Sequence, residues 1–477
     1  MKIGCLPKLP LVAVVLLALG LTACARVNLE ESLAKTNQAT AEFTDGKLTL
    51  AQTADQRAFM AQTAATLLAQ PLNQQDAVHL ALVNSPAIQA MLAQHWSDAA
   101  RAAQSGRIAN PLLVFERTSL GDEVEYERLL AFGLLDILTL PLRSATAQRR
   151  IEQSQARLAI DVVESVTRVR QAWVKAVAAQ QSLTYAQQVT EVGEISAELA
   201  RRMQLVGNFN RLQRARQQAF YADAATQWAM AQQTAMATRE ELVRVLGLTD
   251  DQEKRLKLPE RLPDLPQTPR SPEEVSQAVQ SGRLDIQLAK AAYNAAAKEH
   301  GLTLITSLTD IELGVRHDTV FDDGAGTHEN RDGYEITVRL PVFDWGDMQR
   351  DATNAQTLAA ANRLEATVRA AGSNLRETYA AYRTAYDVAK QYRDEVLPLR
   401  KVISEENLLR YNGMLIGVFE LLADTRDQVN TVRAAISAQQ DFWLAHSALQ
   451  TAIIGNPTVG EIGKQAGMTS QRVESPH

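Results

Sequence analysis

Two cysteines and seven histidines are the residues of this 477-residue chain best suited to nucleophilic or metal chemistry. Two cysteines cannot build a disulfide framework or a four-thiolate zinc site. The histidines, His79, His95, His300, His317, His328, His446 and His477, are scattered without metal-ligand spacing. No nucleophile elbow, phosphate loop or Gly-rich dinucleotide fingerprint is present. The expectation is therefore no enzyme, no catalytic residue, no metal and no cofactor. Lys and Arg number 49 against 55 Asp and Glu, a net charge of −6. With no basic excess to neutralise phosphates, nucleic acid is not an expected partner.

Cys24 has a context of its own. Lys2 and Lys8 form a positive start, and Leu9 to Leu21 is an apolar stretch of signal-peptide length, shorter than a spanning helix. It runs into Leu21-Thr22-Ala23-Cys24, which resembles a bacterial lipobox, where the cysteine thiol is lipidated and becomes the mature N-terminus. Residues 1–23 are thus expected to be a lipoprotein signal peptide. Cleavage leaves one cysteine and a charge of −8, from 47 positive and 55 negative residues. Acyl chains such as palmitate on Cys24 contribute on the order of 0.8 kcal/mol per buried CH₂, so two or more anchor firmly. Ala25 follows rather than Asp, so the lipoprotein sorting rule would not hold the chain in the inner membrane.

The remaining chain is a scaffold used twice. Hydrophobic residues make up 46% but aromatics only 5%, and mean hydropathy is −0.19. This composition predicts long helices rather than a bundle of membrane-spanning ones. Asp76-Ala77-Val78 through Ile88-Gln89 is similar to Glu273-Glu274-Val275 through Ile286-Gln287, an offset of 198. Leu140-Pro141-Leu142 pairs with Leu340-Pro341-Val342 at 200, Gly207 with Gly413 at 206, and Gly247 with Gly455 at 208. Small insertions account for the drift. The organisation is an N-terminal segment at 24–70, a first repeat at 71–258, a strap at 259–272, a second repeat at 273–455 and a tail at 456–477. Pro259, Pro263, Pro266, Pro269 and Pro272 keep the strap extended.

Each repeat reads as helix, strand, strand, helix. The first helices are expected at Leu72 to Ile108 and Glu273 to Gly301. Long helices follow at Ser144 to Leu205 and Met348 to Val396, the second interrupted at Leu397-Pro398. Last helices run to C-cap glycines at Gly247 and Gly455. Roughly sixty helical residues extend about 90 Å, so such helices must stand side by side. Leu158, Val162, Val166 and Val169 recur at three- and four-residue steps among alanines, a stripe suited to coiled-coil packing.

The strands carry the functional information. Ile311, Leu313 and Val315 alternate with Asp310, Glu312, Gly314 and Arg316. Tyr334, Ile336, Val338 and Leu340 alternate with Glu335, Thr337 and Arg339, and Phe321 to Gly333 reads as a polar loop between them. In the first repeat Leu113 and Phe115 alternate with Val114, Glu116 and Thr118, and a strand from Val124 to Leu140 follows the turn Gly121-Asp122. About nine to eleven residues suffice for a tilted strand to cross a bilayer, with lipid on one face and water on the other. A sheet packed on helices in a water-soluble protein is the alternative, stronger for the first repeat. Four strands cannot close a barrel, and open edges in lipid cost several kcal/mol per unpaired group, so spanning strands require more than one chain.

Together these features resemble the TolC-type outer-membrane factors, here as a lipoprotein member. The carriers are the duplicated element order, Asn84-Ser85-Pro86, Leu340-Pro341-Val342-Phe343-Asp344-Trp345-Gly346, and Arg410-Tyr411-Asn412-Gly413 through Glu420-Leu421-Leu422. The resemblance covers about Asp76 to Gly455. It implies a mainly α protein with a membrane β-barrel: a homotrimer whose twelve-stranded barrel in the outer membrane continues as a long α-helical barrel in the periplasm. It implies an exit duct of a tripartite efflux pump or type I secretion system, working with a periplasmic adaptor protein and an inner-membrane transporter. With no nucleotide site, energy must come from that partner. The alternative is a lipid-anchored periplasmic coiled-coil adaptor or envelope scaffold, which would carry one helical hairpin rather than two copies.

The resemblance also assigns residues. Val206, Gly207, Asn208 and Phe209, and Asn412, Gly413, Met414 and Leu415, would be periplasmic hairpin tips that meet the adaptor, each glycine supplying the φ freedom of its turn. Glu420 stands where the family often has an acidic pore-lining residue, and Asp424 lies four residues on along the same helix face. In a trimer these carboxylates would form cation-favouring rings; a solvated helix face is the alternative. Ala423 replaces an Asp common in the family. Ala25-Arg26-Val27-Asn28 replaces the Gly-Pro-Asp-Tyr that often follows the lipidated cysteine, and the tips lack the Val-Gly-Leu form.

Overall fold

A computed structural model describes residues 28–279, 282–308, 310–322 and 324–455. The signal segment, Cys24 and residues 456–477 lie outside the described residues. Helices α1 (Leu29–Ala39), α2 (Ala41–Thr44) and α3 (Ala54–Leu67) precede the first repeat. That repeat comprises α4 (Gln74–Asn84), α5 (Pro86–Ser105), β1 (Leu112–Leu120), β2 (Glu123–Gly133), α6 (Leu134–Leu138), α7 (Leu140–Leu205), α8 (Arg211–Leu246) and α9 (Asp250–Glu253). The second comprises α10 (Pro272–Val279), α11 (Leu284–Thr306), β3 (Ile311–Asp322), β4 (Thr327–Val338), α12 (Asp347–Gln391), a π turn (Tyr392–Val396), α13 (Leu397–Asn412) and α14 (Val418–Ile454). The chain is mainly helical with a small antiparallel sheet. Residues 256–271 carry neither helix nor strand. Among the described residues no helix is long and apolar enough to cross a membrane.

Several boundaries differ from the sequence reading, each for a local reason. The first helix is broken at Ser85, whose backbone is extended (ψ 115°) because Pro86 disfavours the helical conformation before it. The corresponding second-repeat helix is likewise two helices, α10 and α11. The strand expected to reach Leu140 stops at Gly133. Leu134–Leu138 instead forms a helical turn, tied by Asp136 to Arg143 and by the Thr139 hydroxyl donating to the Leu135 carbonyl at 2.7 Å. The polar stretch Phe321 to Gly333 is mostly strand, because polar residues can occupy both faces where a sheet leaves its apolar zone. α7 begins at Leu140, with Pro141 in its first turn, where the missing N–H costs nothing. The equivalent Leu340-Pro341-Val342 stays non-helical, so the repeats diverge there. Pro398 cannot donate to the Asp394 carbonyl, and the helix absorbs this as the π turn that ends at Val396.

Two compact units emerge. One holds residues 94–158 and 286–368, with the sheet in the order β1-β2-β3-β4. Below the sheet its helices are joined by an Arg150–Glu299 ion pair at 2.6 Å and by Thr357 donating to the Ala296 carbonyl at 3.3 Å.

The other unit holds residues 33–93, 159–285 and 369–455. Its first-repeat core is mostly aliphatic: Val163, Val166, Val169, Val174 and Val177 of α7 are buried, and the buried Trp173 donates its indole N–H to the Leu72 carbonyl at 2.7 Å. Its second-repeat core is aromatic. Tyr382, Tyr386 and Phe442 are buried together with Leu265 of the strap. Tyr386 donates to the carbonyls of Pro266 and Gln267, and Trp443 to that of Pro263. These bonds satisfy strap carbonyls that lack a ladder of their own.

Candidate functional site

Register decides what each face of the sheet displays, since directly paired residues share a face. On one face the rows are Phe132, Leu313 and Ile336, then Leu113, Leu130, Val315 and Tyr334. The other face presents Glu116, Glu127, Asp318 and Arg331 in one row and Glu125 and Glu329 in the next. On that face Arg316 bonds Asp318 at 2.6 Å and Glu127 at 2.8 Å. In β3 and β4 the alternation holds along the strands, but in β1 and β2 the carboxylate-bearing face is itself apolar near the base, where Leu112, Val114, Leu129 and Ala131 lie on it. Among the described residues the outer strands β1 and β4 have no neighbour on one side. Their lengths, 9 residues for β1 and 12 for β4, match a tilted bilayer crossing.

The two helical hairpins turn at 206–210 and 413–417. In the first, Gly207 takes φ +82°; its N–H donates to the Gln204 carbonyl at 3.0 Å, and the Asn208 N–H to that of Met203 at 2.9 Å. This is a Schellman closure with glycine at its left-handed position. The second tip makes the same two bonds from Met414 to Tyr411 at 3.0 Å and from Leu415 to Arg410 at 2.8 Å. There Met414 is left-handed at φ +60°, while Gly413 has φ −79°. Gly207 therefore corresponds to Met414, not Gly413, and Gly413 does not supply the turn's φ freedom. Aligning Gln213 with Glu420 and Asn210 with Gly417, also 207 residues apart, would have revealed this.

The entries to the returning helices differ too. Asn210 caps α8, accepting from the Gln213 N–H at 2.9 Å, while Gln213 accepts from the Asn210 N–H at 2.7 Å. Gly417 offers α14 no side-chain cap. Val206, Met414 and Leu415 are exposed, Met414 by 94%.

Glu420 is exposed in the first turn of α14, where the helix dipole favours an anion. Asp424 is only 7% exposed. One of its oxygens lies 3.5 Å from Arg400, which also reaches Asp427 at 3.2 Å, and the other has no hydrogen-bond partner among the described residues. The two carboxylates thus have different surroundings, and the spacing of α14 alone gave no sign of Arg400 on α13. His317 and His328 share a sheet face but stand rows apart: His317 meets Asp332 at 2.5 Å and His328 stacks on Phe321. Among the described residues no group of three His, Cys, Asp or Glu is placed to hold a metal.

No protein-family model matches the chain, and no curated protein matches it in sequence. Solved structures do. A membrane protein from Pseudomonas aeruginosa superposes with TM-score 0.68 at 18% identity, covering 80% of this chain and 93% of that one. The outer membrane protein VceC of Vibrio cholerae gives 0.65 at 14%, covering 84% and 97%. The CmeC outer membrane channel of Campylobacter jejuni gives 0.64 at 13%, covering 87% and 90%. These are a membrane protein, an outer membrane protein and an outer membrane channel, and the present chain has their fold.

Proposed function

We propose that the chain is the outer-membrane exit duct of a tripartite efflux pump or type I secretion system, passing small molecules or ions across the outer membrane. The observation that carries this reading is the sheet: four strands of bilayer length, one face with apolar rows and the other rich in carboxylates, with two edges open among the described residues. Such a sheet is stable in lipid only if other chains cover its edges. A homotrimer supplies twelve strands and closes the barrel, with α7, α8, α12, α13 and α14 as the periplasmic wall. Cys24, lipidated, adds an anchor in the outer membrane. The tips at Val206 to Phe209 and Asn412 to Leu415 are the proposed contact for a periplasmic adaptor, which in turn engages an inner-membrane transporter. Glu420 and Asp424 are the proposed constriction carboxylates, Glu420 exposed and Asp424 acting beside Arg400.

The test is conductance. Full-length protein in planar lipid bilayers should give stepwise currents, and in gels a heat-modifiable oligomer near three times the 52.4 kDa chain mass. A water-soluble monomer after Cys24→Ala would sink the proposal. Deleting the gene and screening drugs, metal ions and secreted proteins for changed tolerance or retention would identify the cargo class.

A further inference from the structure

If the apolar face of the sheet is the lipid-facing one, as proposed above, its character changes with height. The row of Leu113, Leu130, Val315 and Tyr334 is apolar, but the next row pairs Arg128 with His317, and the one above pairs Arg117 with Tyr126. From Ile311 to His317 the strand climbs about 20 Å, or about 15 Å of height at a tilt of about 40°. Leu340 and Phe343, just past the end of β4, are exposed apolar residues. The two arginines therefore stand at the band's upper rim. Ring contacts mark the same level: Phe115 meets Tyr126 at 6.1 Å, and Tyr126 meets Phe321 at 5.8 Å. Aromatic side chains gather where hydrocarbon gives way to headgroups.

Both guanidiniums keep donors open. Arg117 lies over the Tyr126 ring at 5.9 Å, and among the described residues Arg128 donates only to the Thr319 hydroxyl at 3.4 Å. Among the described residues neither forms an ion pair. Asp332 is the one carboxylate on this face of the strands, and His317 engages it. The opposite face carries nine carboxylates and two arginines. Charge is thus segregated, cationic toward lipid and anionic inside. Arginine on the lipid face is costly at the midplane and nearly free at the interface, and its planar fork matches phosphate oxygens. We infer that Arg117 and Arg128 form a docking surface for phosphate-bearing lipid headgroups of the outer leaflet.

The probe is phosphatidic acid, a lipid phosphomonoester, mixed as a minor component into phosphatidylcholine vesicles holding the full-length protein. Native mass spectrometry reads the lipid retained per chain, and conductance is recorded on the same preparation. Wild type should retain phosphatidic acid over phosphatidylcholine. The double variant Arg117→Gln, Arg128→Gln should lose about tenfold of that enrichment, as expected for removing fork-type charged bonds. Arg331→Gln, on the opposite face, should keep it. Arg117→Lys with Arg128→Lys keeps the charge without the fork and should lose less, which preserves the test if the Gln pair fails to assemble. Equal enrichment in wild type and the Gln pair, with both conducting, would overturn the inference and leave the exit-duct reading standing. Displacement by inorganic phosphate as effective as by lipid would also overturn it, since the site would then take a free anion. A wild type that never conducts would overturn the exit-duct reading and this inference with it.

Discussion

Gly247 and Gly455 end the last long helix of each repeat in the same left-handed conformation, with φ of +66° and +92°. Different chemistry closes the two ends. In the first repeat the Asn84 amide donates to the carbonyls of Leu246 and Gly247 at 3.2 and 2.9 Å, and Gln252 returns a bond to Asn84 at 2.8 Å. In the second, Arg283 donates to the carbonyls of Ala452 at 3.0 Å and Ala371 at 3.3 Å, while Asp285 holds its guanidinium at 3.1 and 2.7 Å. A neutral amide can be buried with its bonds made and little else. A guanidinium that is 4% exposed needs a carboxylate beside it, so the second closure is a charged assembly tying three segments.

That difference should be large when tested. Arg283→Met leaves Asp285 charged and buried and should cost roughly 3–5 kcal/mol. Asn84→Ala should cost about 1–2 kcal/mol, the penalty of carbonyls left without a donor. Chemical denaturation of detergent-solubilised protein, followed by helical circular dichroism, compares the two. Adding Asp285→Leu to Arg283→Met should recover most of the loss. Equal costs for the single variants would break the contrast between a neutral and a charged closure.

The cores differ in their response to acid. Burial also holds His79, beside the first-repeat core, below its ordinary value, but the larger shift belongs to His446, which packs against Tyr382, Phe442 and Trp443 with its Nδ1 lacking a hydrogen-bond partner among the described residues. Burial, aided by the positive Arg270 and Arg170, holds its pKa down to about 4. A histidine depressed in the folded state resists protonation there and accepts it when unfolded. Stability is therefore intact above about pH 6.5 and is lost as pH falls from there to about 4, by on the order of 3 kcal/mol. His446→Phe should flatten that slope, read as denaturation midpoints against pH. An unchanged slope would show that other groups set the acid sensitivity.

What the sequence revealed follows the same division between local and distant causes. The alternation Ile311, Leu313, Val315, the cap glycines and the disturbance near Pro398 are all written within a few residues of where they act. Arg400 beside Asp424 and Tyr386 against the strap depend on partners more than twenty residues away, which no local period encodes. β3 and β4 reach Asp322 and Thr327 because pairing continues after hydrophobic alternation has faded. Gly413 misled because a glycine near a turn signals the turn without fixing which residue goes left-handed.

The smallest expected effects lie at the tips and bear on that last point. The first tip has glycine at its left-handed position and the Asn210–Gln213 box at its helix entry. The second has Met414 at φ +60° and Gly417 at the entry, so it lacks both supports. A side chain in the left-handed region costs about 1–2 kcal/mol, part of which glycine returns as unfolded-state entropy. Met414→Gly should stabilise the second tip by about 1 kcal/mol, and Gly207→Ala should destabilise the first by a similar amount. Gly417→Asn, with Glu420 already three residues on, would complete the missing box for at most a few tenths of a kcal/mol. Amide hydrogen exchange at the two turns reads these local openings directly. Slower exchange at 413–420 in Met414→Gly, with 206–213 unchanged, would establish that the tips differ through backbone conformation alone. No change would mean that packing around the second tip, rather than its strained turn, sets how readily it opens.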